Sequence, residues 1–349
     1  MVSIADASVT ISLSAGAGSP RLESPFSCAA RTRRAIHRGQ AALNRADVDT
    51  AETAGRWVLG RLPDPNVSHP GNLSVSDREL LVAGLELVAQ ARRALVDLSA
   101  AAHLHHQALT LLRAAPHPAE RDREQSIVLN RLGETLRLLG RHADAADRHR
   151  EALSLAEHLQ PADPVLVASA LNGLGIVFTV TRQYAHAACT FHRALALVEA
   201  DLGPEDPYLA GLFHNLAGLD HAQHRFTVGE PKARRALHLR VWGDGPDSTG
   251  TAADLAVLGA LLLGQGRDAE AEVMLRQSLA IWQQHFGADH YEVAGVQLSL
   301  AALYAARGET RRAERTYHQV LDVKRRVLGP EHHEVVALQG QLGQLNSGS

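Results

Sequence analysis

Apolar and polar positions along this chain return every 42 residues. Leucine stands at Leu132, Leu174, Leu216, Leu258 and Leu300, each followed by a small residue: Gly133, Gly175, Ala217, Gly259, Ala301. Thirteen residues beyond each leucine is another small residue: Ala145, Ala187, Gly229, Ala271, Ala313. A second leucine follows at Leu153, Leu195, Leu237, Leu279 and Leu321, and Gly203, Gly245, Gly287 and Gly329 close four of the units. Within a unit, apolar residues recur at intervals of three and four, which predicts amphipathic helices. Each unit holds two such runs, split at turns such as Gly140-Arg141, Gly266-Arg267 and Gly308-Glu309. The small positions let two helix backbones approach closely, and leucines fill the space between pairs. Asp163-Pro164 and Asp206-Pro207 each set an N-cap acceptor before a proline suited to a first helical turn. A period of this length means stacked units that share one continuous core.

These residues resemble the tetratricopeptide repeat. Phe178, Phe191, Tyr304 and Tyr317 stand at its aromatic positions, and the 42-residue period with the endings LGPEDP and LGPEHH resembles its kinesin-light-chain subclass. The resemblance implies an all-α fold: a right-handed superhelix of antiparallel helix pairs with a C-terminal capping helix. It also implies that the first helix of each pair lines a concave groove.

In chain order, residues 1–28 are rich in Ser, Ala and Gly and read as disordered. Residues 29–115 form a degenerate helical region, in which Gly39, Ala51 and Leu59 keep the repeat spacing around a turn at Asn44–Asp47. Three prolines and a glycine make 63–75 a loop. From Asp77 to Ala114 no breaker appears, so two helices dividing near Leu98-Ser99, or one long helix, both fit. Residues 116–349 hold five clear units and a capping helix from about Glu334 to Leu345. In the third clear unit, Asp220 replaces an apolar residue, Gly229 replaces alanine, and Pro231 implies a second helix that starts late, near Glu230.

Composition narrows the function. A formal charge of −3 over 349 residues argues against a non-specific nucleic-acid binder. No apolar run of 18 residues suggests a membrane span, and no signal peptide is legible, so a cytoplasmic protein is expected. Cys28 and Cys189 have no disulfide or zinc spacing, and Cys189 reads as a small buried thiol.

Phosphate-loop, His-Glu-x-x-His, nucleophile-elbow and dinucleotide patterns are all lacking, so neither an enzyme nor a cofactor is expected. Histidine is abundant, with twenty residues. His214, His221 and His224 fall with Asp220 on one helix stretch of the third clear unit, a weak candidate for a metal or acid–base site. By the resemblance, His214 and His221 face the groove. The groove positions it carries over are Asn130, Glu134 and Arg137; Asn172, Ile176 and Thr179; His214, Gly218 and His221; Ala256, Ala260 and Leu263; and Leu298, Ala302 and Ala305. This series passes from polar to apolar, which suits an extended or helical peptide with one apolar end. The expected function is a scaffold that binds a protein or peptide there. A peptide-sensing regulator with a separate output partner, and an enzyme centred on the His/Asp cluster, are the alternatives.

Overall fold

The computed structural model describes residues 28–44, 47–62, 73–114 and 118–347. The sequence expectations for 1–27, for most of the 63–75 loop and for the middle of the Asn44–Asp47 turn lie outside these residues. Among the described residues there are fifteen α-helices and no strand. They are α1 Cys28–Leu43, α2 Val48–Leu59, α3 Val75–Ala94, α4 Leu98–Arg113, α5 Pro118–Leu138, α6 His142–Glu157, α7 Pro164–Val180, α8 Tyr184–Leu202, α9 Leu209–Ala222, α10 Phe226–Asp244, α11 Thr249–Gly264, α12 Asp268–Phe286, α13 Tyr291–Ala306, α14 Thr310–Leu328 and α15 His333–Ser347. They belong to two compact units, and the chain passes from one to the other inside α8, between Leu197 and Val198.

In the first unit, α3 and α4 are separate helices; the uninterrupted apolar pattern hid a turn. Val96 takes a positive φ of 61°, and Asp97 N–H donates to Arg92 O across 2.9 Å. The same closure recurs at Gly140, where Arg141 N–H donates to Leu136 O. This is the left-handed helix ending that normally recruits glycine, because a Cβ crowds the backbone there. A β-branched valine gives no sequence signal for it.

The first unit also shows why glycine follows the repeated leucine. A Cβ on Gly175 would come within 2.4 Å of the Phe191 ring. The His149 ring needs two such clearances, standing 2.6 Å from a Cβ on Gly133 and 2.2 Å from one on Gly173. Its Nδ1 lies 3.0 Å from Asn130 Oδ1. Ala145, Ala152, Ala187 and Ala194 are fully buried. The second leucines, Leu153 and Leu195, are only half-buried. The fully buried position is therefore the alanine before each of them. Cys189 is exposed, contrary to the sequence expectation. On α8 the buried stripe runs through Ala187, Phe191, Ala194 and Val198, and Cys189 points away from it.

In the second unit, α9 with α10, α11 with α12 and α13 with α14 form the pairs. One core runs through Leu258, Leu261, Leu275, Leu303 and Val320. The last helix, α15, buries Val335, Leu338 and Leu342 in that core and so caps it. The pair α9–α10 corrects a sequence expectation. The second helix does not start late: α10 begins at Phe226, and Pro231 lies inside it. A proline there removes one helical hydrogen bond and crowds the carbonyl four residues earlier. Side chains hold this turn in place. Glu230 accepts from Arg234 (2.8 Å), Arg267 (2.7 Å) and Gln265 (3.0 Å), which staples the start of α10 to the turn between α11 and α12.

Candidate functional site

The first helices of the second unit carry little charge. α11 and α13 have one acidic residue each, Asp254 and Glu292. Among the proposed groove positions, Ala256 and Leu263 on α11 and Leu298, Ala302 and Ala305 on α13 are half-buried, while Ala260 is buried. Five of the six thus still offer apolar surface, and Ala256, Leu263, Leu298 and Ala305 also pack on the core. Gly218 on α9 is buried.

His214 does not line a groove. Its side chain is 1 % exposed, and Nδ1 lies 2.7 Å from Asp254 Oδ1. Asp254 Oδ2 accepts from Arg240 Nε across 3.3 Å, and Arg240 also donates to Asp244 across 3.2 Å. A buried carboxylate needs such partners, because an unpaired charge in the core would cost several kcal/mol. The histidine is therefore a tie between α9, α10 and α11. Only the sequence separation hinted at it: Asp254 is the one charge in an apolar helix, forty residues beyond His214.

The other members of the histidine group also part company. His221 is half-buried, with its ring 5.6 Å from that of Phe226, and burial lowers its pKa, helped by nearby His224. His224 is not on α9; it stands in the turn after it with a φ of 57°, edge-on to Phe226. Asp220 is fully buried and paired with Arg225 (2.5 Å) and Lys232. The ion pairs fill the place where other units put an apolar side chain. The four do not converge, and among the described residues no group of three or more His, Cys, Asp or Glu is placed to hold a metal ion.

In the first unit the polar positions are held by their neighbours. Glu134 accepts from Arg93 across 2.9 Å. Asn130 is buried against His149, and the Thr179 hydroxyl donates back to Gly175 O. Asn172 and Arg137 are half-buried, and Ile176 is buried. A neighbouring triad, which the sequence did not reveal, sets Glu86 between His105 (2.7 Å) and Arg131 (3.0 Å). Burial alone would raise the Glu86 pKa; the pairing with His105 and Arg131 outweighs it, and the carboxyl stays below its ordinary value.

With this geometry in hand, the chain is first of all an all-helical repeat protein. Residues 251–292 and 293–334 match the family model of the tetratricopeptide repeat, and each match spans the period seen in the sequence. The chain carries tetratricopeptide repeats. Among solved structures it is similar to RapI in its apo form, at 12 % identity over 85 % of this chain and 98 % of that one, with a TM-score of 0.60. It is likewise similar to a Rap protein complexed with competence and sporulation factor (13 % identity, 90 % and 87 % covered, TM-score 0.60). A third likeness is to BtubC (BKLC) from P. vanneervenii (23 % identity, 69 % and 93 % covered, TM-score 0.51). These likenesses are of fold. No curated protein matches the chain. No helix among the described residues is long and apolar enough to cross a membrane.

Proposed function

We propose that this chain is a non-catalytic scaffold that binds a protein or peptide segment on the face of its first helices. The observation that carries this reading is the uncharged, small-residue surface of α11 and α13: Ala256, Leu263, Leu298, Ala302 and Ala305 are half-exposed with no charged side chain among them. Small side chains admit a close backbone approach, and apolar surface supplies the driving force for an amphipathic helix or an extended strand with an apolar side. A second reading is a peptide-sensing regulator with a separate output partner, favoured by the likeness to a Rap protein solved with competence and sporulation factor.

Selection of a displayed random-peptide library on the full chain tests the scaffold reading. Peptides enriched on the wild type are expected to lose binding to a double variant, Ala302→Glu with Ala305→Glu, that keeps its helical circular dichroism. Enriched peptides that bind the variant equally well would move the site elsewhere.

A further inference from the structure

Trp242, near the end of α10, is 70 % exposed, the most open of the large hydrophobic side chains among the described residues. The repeat does not ask for it. The equivalent positions, at 42-residue steps, hold His158, Ala200, Gln284 and Arg326. Val241 and Leu202, also exposed, add apolar surface at this end of the unit. The segment before α9 runs alongside: Arg235 donates to Pro204 O (2.8 Å) and to Glu205 (2.6 Å), and a Cβ on Gly243 would meet Pro207 at 2.5 Å. Trp242 lies two helical turns beyond Arg235 on the same stripe and directly before Gly243, the residue that meets Pro207.

The two chain stretches that flank it carry one sign of charge. Stretches 199–207 and 241–247 contain Glu199, Asp201, Glu205, Asp206, Asp244 and Asp247, and neither lysine nor arginine. Two arginines of α10 are already engaged, Arg235 with Glu205 and Arg240 with Asp254 and Asp244, while the titratable His238 lies exposed one turn before Trp242 and His285 stands 2.8 Å from Asp247 O. An exposed indole among carboxylates matches a guanidinium or ammonium group carried on an apolar stem. The ring face attracts the cation, the acids steer it, and the indole supplies the buried contact area on which interfaces depend. We infer that this end of α10 is a second docking surface, distinct from the first-helix face, for a basic segment of a partner protein in which lysine or arginine alternates with apolar residues.

Calorimetric titration of the full chain tests this with two probes: the octapeptide Lys-Leu-Arg-Lys-Leu-Arg-Lys-Leu and a counterpart with glutamate at every basic position. The basic peptide is expected to bind and the acidic one not to. Trp242→Ala should weaken the basic peptide at least about tenfold, the loss typical of an aromatic hot spot. Glu205→Lys should weaken it severalfold, while the Ala302→Glu, Ala305→Glu variant should bind it like the wild type. The inference is overturned if the wild type ignores the basic peptide, if Trp242→Ala binds it unchanged, or if the Ala302→Glu, Ala305→Glu variant loses it. A wild-type dimer in light scattering that Trp242→Ala dissolves would also overturn it, since a second copy would then cover the face.

Discussion

His214 and Asp254 meet across 2.7 Å inside the second unit, with both side chains sealed from solvent. The pair joins two successive first helices, and Arg240 binds the far side of the carboxylate. Removing one partner strands a buried charge. Asp254→Ala should therefore destabilise the chain by about 3–5 kcal/mol in denaturant titration. Replacing the whole triad with apolar residues of similar size should recover most of that loss. A small effect of Asp254→Ala would mean the carboxylate is not sealed.

Overpacking should be costly wherever a helix contact admits no more volume. Gly175→Ala has to displace the Phe191 ring, and Ala187→Leu and Ala271→Leu press on fully buried contacts. Each should cost about 1–3 kcal/mol. Combining Gly175→Ala with Phe191→Leu should cost less than Gly175→Ala alone, which a double-mutant cycle measures.

Val96 offers the opposite experiment. A β-branched side chain at a φ of 61° is strained, and glycine is not. Val96→Gly should raise stability by about 1 kcal/mol, read as a higher melting temperature. A lower melting temperature would show that the valine side chain contributes more by packing than it costs in strain.

Acid should loosen the start of α10. Hydrogen bonds from Gln265, Arg234 and Arg267 hold the Glu230 pKa down to about 2, against an ordinary 4.5. A carboxyl with a depressed folded-state pKa stabilises the fold above its unfolded value and loses that contribution as pH falls through the folded one. The melting temperature should thus drop between about pH 4.5 and pH 2, and Glu230→Gln should flatten that slope. An unchanged slope in the variant would place the acid sensitivity elsewhere, for example at Glu86.

The repeat positions were legible because they answer to one demand, close contact of helix backbones. Gly133, Ala145 and Leu258 satisfy it in sequence and in space alike. Ion pairs were not legible. His214 looked like a groove residue because the repeat register fixes the direction of a side chain but not its partner. The partner, Asp254, belongs to the next pair of helices. Turns fell between these cases: glycine announced the one at Gly140, and Val96 concealed its equivalent. Pro231 misled for a related reason. The bonds that hold its turn come from Gln265 and Arg267, more than thirty residues on.

The His149 ring, lodged between Gly133 of its own repeat and Gly173 of the next, limits how this array could be rearranged by recombination. A duplicated or transplanted module cut between α6 and α7 would bring the ring against whatever residue the new neighbour carries in place of Gly173. Any residue larger than glycine there would clash. Shuffling at that junction therefore keeps this contact only if His149 and Gly173 travel together, so the interchangeable piece of this chain is not the repeat as its period defines it.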